Sequence, residues 1–327
     1  TMDYTLQKTK VIGVDISRDI TSLAIIDTRA NIFARHNFNS SCYNEIGEFV
    51  DVLCEEITKL IEENNCFEEI RSIGISVSSG NFKTGCIENA PNLYWKGVVP
   101  LASMLSDRLG IAVALGNDVH AAALGEWYYG CAHGMKDFIL ISIGHGLGSA
   151  LCSYGKIYLG YHGYAGELGH TTIVPGGRTC GCGKQGCLEA YCAEKGIIEN
   201  AREILEASNK PSLMRDLQYL DPKNIFDCCE RGDELAIETF RSTGEYLGRG
   251  LANIAGIFDP EAIIITGGIS NAGHWLLTPT IEAFNHHLFR NLSGKIKILL
   301  SSMKDRDRDM LGASALAWEV KDYSLFV

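Results

Sequence analysis

Three cysteines stand close together in one glycine-rich stretch, Cys180-Gly181-Cys182-Gly183-Lys184-Gln185-Gly186-Cys187. Glycine lets so short a loop bend several sulfur atoms around one centre without clashes between β-carbons. Structural zinc takes four nitrogen or sulfur ligands in a tetrahedron, and His170 lies just upstream to complete the set. The alternative is three incidental thiols, which their density in one loop disfavours. The sequence therefore predicts a zinc ion held by His170, Cys180, Cys182 and Cys187, with no coordination position open for catalysis.

A second group of interest is the pair Asn117-Asp118, which follows an apolar segment at 111–115 and precedes a helical segment at 119–128. Ligands of α/β proteins gather at the carboxyl ends of strands. Asp118 can accept a proton from a substrate hydroxyl, as the base does in phosphoryl transfer to an alcohol. The alternative is that Asp118 only caps the following helix. Position alone leaves both interpretations open.

The composition limits the class of protein that presents these groups. The chain has 327 residues, is 46% hydrophobic and carries a formal net charge of -11. Its length favours two domains, and its charge argues against nucleic acid as a partner, since phosphates require a basic surface. No apolar run is long enough to span a bilayer, and residues 1–10 lack the apolar core of a signal peptide. We therefore expect no membrane partner and a cytoplasmic location, where the 12 cysteines would not form a disulfide framework.

The apolar pattern that positions these groups alternates between strands and helices, as in an α/β protein. In the first half, strands are predicted at 11–15, 22–27, 31–37, 72–77 and 111–115, with helices at 45–64 and 100–109. The plan restarts with a strand at 138–143, a glycine-rich turn at 144–148 and further strands at 149–154 and 156–159. A helix at 233–258, a strand at 262–266 and a helix at 310–320 follow. The repetition predicts two similar domains, each contributing a tight turn that can handle phosphate.

Several further motifs complete the pattern: Asn89-Ala90-Pro91-Asn92-Leu93, Gly166-Glu167-Leu168-Gly169-His170, Asp259-Pro260 and Leu311-Gly312-Ala313. Together with Gly116-Asn117-Asp118 and the cysteine loop, they resemble the ROK family of bacterial sugar kinases and their repressor relatives. The resemblance covers essentially the whole chain. The order of Glu-x-Gly-His followed by Cys-x-Cys-Gly-x-x-Gly-Cys-x-Glu is its most specific part.

The resemblance implies an α/β fold of the actin-like ATPase (ribonuclease H-like) type, with two domains, a central cleft and a structural zinc loop. Residues 1–118 plus 310–327 would form a small N-terminal domain, and residues 119–309 a larger domain with the zinc loop. It also implies a homodimer. The repressor branch carries a DNA-reading helix-turn-helix ahead of the first strand, which here begins by Val11, so we expect no nucleic acid partner.

The activity implied is that of a glucokinase-like transferase of carbohydrate metabolism, which phosphorylates a hexose at its 6-hydroxyl with ATP and magnesium. The segment from Gly85 to Gly97 looks most like that of bacterial glucokinases, which makes glucose the expected sugar. Asp118 would be the catalytic base. The residues implied to bind the sugar are Asn92, Asn117, Asp118, Glu167, His170 and Glu189. His170 would serve twice, because one ring nitrogen can bind zinc while the other contacts a hydroxyl.

The departures from the family pattern lie on the nucleotide side. Where the family has Gly-Gly-Thr after its first aspartate, this chain has Ser17-Arg18-Asp19, although Asp15 is present to organise Mg²⁺. An aspartate beside phosphates is unfavourable unless Arg18 offsets it. The second phosphate loop reads Gly144-His145-Gly146, and the adenosine-side turn keeps Gly267 and Gly268 after Thr266. A working kinase with adapted loops is favoured; the alternative is a catalytically weak or inactive sugar-binding pseudokinase that acts as a sensor or regulator.

Overall fold

The structure, a computed structural model, describes residues 8–320. The strands are β1 (Lys10–Ile16), β2 (Ile20–Asp27), β3 (Ile32–Asn39), β4 (Ile70–Val77), β5 (Gly80–Asn81), β6 (Cys86–Glu88), β7 (Val98–Val99), β8 (Val113–Gly116), β9 (Phe138–Ile143), β10 (Leu147–Ser153), β11 (Lys156–Ile157), β12 (Ala262–Thr266) and β13 (Lys297–Leu300). The helices are α1 (Ile46–Glu63), α2 (Leu101–Leu109), α3 (Asp118–Tyr129), α4 (Glu189–Cys192), α5 (Glu194–Ala207), α6 (Pro222–Glu230), α7 (Glu234–Phe258), α8 (His274–His287) and α9 (Asp305–Trp318). The alternation of strands and helices predicted from the apolar pattern is thus present in both halves.

The described residues form two compact units. Unit 1 comprises 8–134, Leu159–Tyr164 and 302–320, and unit 2 comprises Met135–Tyr158 and Ala165–Ser301. This division differs from the predicted domains, 1–118 plus 310–327 and 119–309, of which residues 1–7 and 321–327 lie outside the described part of the chain. The reason is the packing of α3 on α9, where a β-carbon on Gly312 would lie only 2.9 Å from the Ala121 carbonyl oxygen. The boundary therefore follows α3, and the units are similar in length rather than small and large.

Unit 1 is organised around a five-stranded mixed sheet in the order β3-β2-β1-β4-β8. β1, β2 and β3 pair antiparallel, whereas β1, β4 and β8 pair parallel. The amphipathic helix α1 buries the side chains predicted to lie on one face, among them Phe49, Leu53 and Ile57. The carboxyl ends of the three parallel strands therefore lie side by side at one edge of this sheet.

Helix α9 lies directly on the sheet of unit 1. A β-carbon on Gly74 of β4 would be only 2.0 Å from the Ala313 carbonyl oxygen of α9. Only glycine permits so close an approach between the strand and the helix backbone. The small side chains of Ala313 and Ala317, both fully buried, complete this tight contact. α9 begins at Asp305 rather than at the predicted Met310.

Unit 2 contains a second five-stranded sheet in the order β11-β10-β9-β12-β13. Its first three strands in the chain pair antiparallel, and β9, β12 and β13 pair parallel. The strand order and directions repeat those of unit 1, which confirms the predicted repetition of one plan. β9 and β12 have the predicted limits, and each is completely buried or nearly so. Among residues 8–320, no helix combines the length and the apolar character needed to cross a bilayer.

Candidate active site and metal centre

Asp15 lies at the edge of the unit 1 sheet where the parallel strands end. In the strand register it pairs with Ser76 of β4, which in turn pairs with Gly116 of β8. Burial, followed by the negative charge of Asp309 in the first turn of α9, raises the pKa of the Asp15 carboxyl to about 7, while a hydrogen bond from Ser76 opposes the rise. Asp118 contributes to the same increase. Three carboxylates of unit 1 thus influence one another electrostatically, and a divalent cation would offset the repulsion between their negative charges.

Asp118 is the first residue of α3, but it does not cap this helix. The capping side chain is that of Asn117, whose Oδ1 accepts a hydrogen bond from the His120 N–H at 2.7 Å. The Asp118 carboxyl accepts instead from the adjacent Val119 N–H, at 3.0 Å from Oδ1, and from its own backbone N–H. Although part of the Asp118 side chain is exposed, the protein around its carboxyl hinders hydration and raises its pKa. Asn117 therefore caps α3, and the Asp118 carboxyl is an accessible group with increased proton affinity.

Asn92 lies in an exposed segment that is anchored by its neighbours. Leu93 and Trp95 are buried in the core of unit 1, and the Trp95 Nε1 donates to the Tyr43 carbonyl oxygen at 3.2 Å. The Lys96 ammonium donates to the Leu93 carbonyl oxygen at 3.0 Å. The Asn92 amide is thus presented to solvent from a fixed backbone.

The turn at Ser17-Arg18-Asp19 is closed by its own hydrogen bonds. The Ser17 N–H and hydroxyl both donate to the Ile20 carbonyl oxygen, at 3.0 and 2.7 Å. The Arg18 guanidinium lies over the Tyr94 ring, with 5.2 Å to the ring centroid, and a hydrogen bond with Tyr94 is the main cause that raises the pKa of Arg18. Arg18 therefore interacts mainly with Tyr94 rather than with Asp19, and the Ser17 N–H already has a hydrogen-bond acceptor.

In unit 2, Glu167 precedes a short 3₁₀ turn, Leu168–His170, of which His170 is the last residue. The turn is held to β10 because the Leu168 N–H donates to the Ser149 hydroxyl at 3.3 Å, and the same hydroxyl donates to the Gly166 carbonyl oxygen. Glu167 is exposed, whereas Leu168 and Gly169 are buried. The backbone that carries Glu167 and His170 is thus firmly fixed to the sheet.

The four predicted metal ligands lie together, within 4.8 Å of one another when one ligand atom is taken from each residue. The His170 Nδ1 is 3.7 Å from the Cys180 Sγ, and the Cys182 Sγ is 3.7 Å from the Cys187 Sγ. Zinc bonds of about 2.0–2.3 Å in a tetrahedron place ligand atoms about 3.5–3.8 Å apart. The two separations of 3.7 Å match that spacing, and the four residues together could hold a metal ion. We name these four residues the metal cluster.

The backbone around the metal cluster forms a miniature hairpin. Isolated bridges join Thr179 to Gln185 and Thr172 to Cys187, and the Cys180 N–H donates to the Lys184 carbonyl oxygen at 2.8 Å. Burial raises the pKa of the Cys180 thiol to about 12, whereas the backbone N–H of Lys184 is the main cause that lowers the pKa of Cys182 to about 7. Since a metal binds thiolates, loading this cluster would release protons.

The loop Gly144-His145-Gly146, named here the 144–146 loop, joins β9 to β10. It is closed by the Gly144 N–H, which donates to the Gly146 carbonyl oxygen at 2.9 Å. The Gly144 carbonyl oxygen accepts from the Glu194 N–H at the start of α5, at 3.0 Å. The His145 ring is almost fully exposed and contacts the Glu194 carboxylate through Nδ1. The imidazole therefore has an acidic partner that the sequence pattern did not reveal.

Glu189 is the first residue of α4 and lies beneath the 144–146 loop. Its Oε2 accepts a hydrogen bond from the Leu147 N–H at 2.9 Å, and its Oε1 is 3.7 Å from the Cys180 Sγ. The Glu189 side chain is half-buried. This predicted sugar ligand is thus already engaged with the backbone of β10.

The turn at Gly267-Gly268 lies beside the 144–146 loop, because β12 pairs in parallel with β9. Gly267 has φ 92°, and a β-carbon there would lie 2.3 Å from the Ile143 carbonyl oxygen. A cavity of about 290 Å³ adjoins this turn. It is lined by Pro222, Lys223, Phe226, Asp227, Phe240, Gly268, Ile269, Asn271 and Ala272. The contribution of α6 could not be foreseen, since nothing in the sequence links residues 222–227 to the turn.

Known proteins resemble this chain in sequence and in fold. The sequence profile of the ROK family matches residues 11–320, and the chain belongs to that family. A glucokinase of Streptomyces coelicolor is 29% identical over 315 residues, which cover 94% of this chain and 97% of the relative. A xylose repressor of Caldicellulosiruptor bescii is also 29% identical, over 90% of this chain and 75% of the repressor.

Among solved structures, the ROK glucokinase of Streptomyces griseus in complex with glucose and AMPPNP superimposes with a TM-score of 0.76. It is 29% identical in sequence, and the match covers 95% of this chain and all of the other. The mixed α/β sheets of both units are therefore those of ROK sugar kinases. Membership in the family alone does not choose between its kinases and its regulators.

Proposed function

We propose that the protein is an ATP-dependent hexose kinase that transfers the γ-phosphoryl group to a sugar 6-hydroxyl, with Asp118 as the general base. The observation that carries this proposal is the carboxyl of Asp118, which is accessible, raised in pKa and relieved of helix capping by Asn117. A base of increased proton affinity is suited to take the hydroxyl proton as the phosphoryl group arrives. The fold proposed for this activity is of the actin-like, ribonuclease H-like type, with which the repeated mixed sheets are consistent.

The residues proposed to bind the sugar are Asn92, Asn117, Asp118, Glu167, His170 and Glu189. Carboxylates accept hydrogen bonds from sugar hydroxyls, and carboxamides both donate and accept. The His170 Nδ1 is directed to the Cys180 Sγ, which leaves Nε2 for a hydroxyl once the metal fixes the tautomer. Zinc bound by the metal cluster would thus orient a sugar ligand as well as stabilise the loop.

ATP is proposed to bind through residues that keep the family pattern and through the altered 144–146 loop. Gly144, His145 and Gly146 would contact phosphates, and Gly267 and Gly268 would lie at the adenosine end beside the cavity lined by α6. Asp15 would hold Mg²⁺, which when bound neutralises phosphate charge. The electrostatic environment of Asp15, which makes its ionised form unfavourable in the absence of a cation, supports that role. We also propose a cytoplasmic homodimer, as the family resemblance implies.

A sugar-binding pseudokinase is the second candidate, and the closed Ser17–Ile20 turn favours it. The Ser17 N–H is satisfied within the turn, and Asp19 adds a negative charge where the family places a phosphate-binding Gly-Gly-Thr. A regulatory role is also compatible with the similarity of the chain to a repressor. The kinase is preferred because Asp15, Asp118 and both glycines that flank His145 are retained, and phosphoryl transfer depends mainly on positioning and charge.

A coupled ADP-release assay separates the two candidates. The parent protein is assayed with MgATP over a panel of glucose, mannose, fructose, allose and N-acetylated hexosamines, with Asp118→Asn as the inactive control. Turnover is expected to be highest with glucose. Sugar binding by calorimetry without turnover in the parent would reject the kinase and support the sensor.

A further inference from the structure

The backbone of Leu147 connects the metal cluster to the 144–146 loop. Leu147 follows that loop directly, and its N–H donates to the Glu189 Oε2 at 2.9 Å. Its carbonyl oxygen lies so close to Gly169 that a β-carbon there would be 2.1 Å away. Gly169 precedes the ligand His170, and the other Glu189 oxygen is 3.7 Å from the ligand Cys180. Two separate contacts therefore lead from one backbone residue to two members of the metal cluster.

Glu189 is held in position by the segment that carries Cys187. The bridge between Thr172 and Cys187 and the hydrogen bond from the Leu188 N–H to the Thr171 carbonyl oxygen, at 3.0 Å, fix the start of α4. From there the carboxylate reaches beneath the loop, where its Oε2 would be 2.9 Å from a β-carbon on Gly146. An ion that draws Cys187 and His170 together would therefore fix the segment that carries Glu189, through the bridge between Thr172 and Cys187. The Cys180 thiol, which loses its proton when it binds the ion, would no longer donate to the carboxylate.

The geometry points to Glu189 as a positioning residue that couples the metal cluster to the 144–146 loop, so that zinc occupancy raises the affinity for a nucleoside triphosphate. The inference rests on the proposed function for the role of the loop in phosphate binding. Leu147 is buried, so loss of the Glu189 acceptor would remove a hydrogen bond from its N–H and free the loop to move. Since coupling between two binding sites is reciprocal, the nucleotide should raise zinc affinity by the same factor.

The first test measures this reciprocity directly. AMPPNP binding is measured by calorimetry on zinc-loaded and chelator-treated protein, and zinc affinity is measured by competition with a chromophoric chelator, with and without AMPPNP. Circular dichroism verifies that the chelated protein remains folded. We expect both affinities to change by one common factor of at least about fivefold. Equal AMPPNP affinity in the two folded forms would overturn the coupling alone, whereas no AMPPNP binding by the zinc-loaded protein would contradict the proposed kinase as well.

Variants of Glu189 keep the inference testable if the zinc-free protein unfolds. Glu189→Gln retains an oxygen that can accept from the Leu147 N–H, whereas Glu189→Ala removes it. We expect Glu189→Ala to raise the KM for ATP about tenfold and to abolish the effect of AMPPNP on zinc affinity, while zinc stays bound. Glu189→Gln should keep the KM for ATP within about twofold and change mainly the KM for sugar.

The matched control is Glu199→Ala, which removes a carboxylate of α5 that lines the same cavity of about 670 Å³ as Glu189. It should leave both the KM for ATP and the zinc affinity unchanged. A Glu189→Ala protein with parental AMPPNP affinity would overturn the inference.

Discussion

Replacing Asp15 with asparagine should stabilise the protein while removing its response to magnesium. The Asp15 pKa is raised from 3.8 to about 7, first by burial and then by Asp309. The folded state therefore binds this proton more tightly than the unfolded chain, and the carboxyl reduces the free energy of unfolding as pH increases from about 4 to about 7. Above pH 7 the full penalty is present, and below pH 3.8 it vanishes.

The size of this difference in stability follows from the shift in the pKa of Asp15. One pKa unit corresponds to about 1.4 kcal/mol, so the rise to about 7 would cost about 4 kcal/mol above pH 7. Because the side chain is half-buried rather than sealed from water, we expect about 2 kcal/mol after allowance for solvent screening. Asp15→Asn should be more stable than the parent by that amount at pH 8 and by nearly nothing at pH 4.

Urea unfolding at pH 4, 6 and 8, with and without MgCl₂, measures these differences. Magnesium should stabilise the parent at pH 8 and leave Asp15→Asn unchanged, because the ion compensates the ionised carboxyl. Asp107→Asn is the matched control, since Asp107 is an exposed aspartate of α2 in the same unit. An Asp15→Asn protein no more stable than the parent at pH 8 without magnesium would refute the reasoning.

Three further predictions concern the base, the metal and the core. Asp118→Asn should lower kcat at least about 100-fold with little change in glucose affinity. Because desolvation raises the pKa of the Asp118 carboxyl, a pH profile of the parent should show kcat/KM declining at a pH above the range of an ordinary aspartate. Cys187→Ser should reduce bound zinc, measured by plasma mass spectrometry, and should lower the free energy of unfolding by about 4 kcal/mol at a metal concentration about 1,000 times Kd. Cys86→Ser, outside the cluster, should change neither quantity, and parental zinc content in Cys187→Ser would contradict the site. Gly74→Ala should destabilise the protein by about 3 kcal/mol in urea unfolding, because its β-carbon would meet the Ala313 backbone at 2.0 Å. Gly47→Ala, whose β-carbon would meet nothing within 4 Å, should not destabilise the protein. Equal stability of the two variants would refute the predicted clash.

Local patterns in the sequence were sufficient for the features that depend on nearby residues. The limits of β9 and β12 follow from short, apolar, β-branched runs, and the grouping of the four side chains of the metal cluster follows from thiols and glycines close together in the chain. The start of α9 was missed because the apolar pattern begins only at Met310, after the charged residues that form its first turns. The division into units differs from the predicted domains for a related reason, since the contact of α3 with α9 joins distant parts of the chain.

The same limit applies within the site. The choice between Asn117 and Asp118 as helix cap depends on one residue of register, which only the backbone geometry decides. The pairing of His145 with Glu194 and the position of α6 beside Gly268 are contacts across long stretches of chain. The two roles considered for Glu189 also differ in origin: the family resemblance implies a sugar ligand, whereas its hydrogen bond to Leu147 is visible only in the fold.

Identification of the product formed from glucose and MgATP tests the central proposal most directly. Phosphorus–proton correlation NMR of the reaction mixture reports which hydroxyl has been phosphorylated. We predict a product whose phosphorus resonance couples to the protons of C6, and expect Asp118→Asn to form it at least about 100-fold more slowly than the parent. A parent protein that binds glucose yet forms no sugar phosphate, or that phosphorylates another hydroxyl, would contradict it.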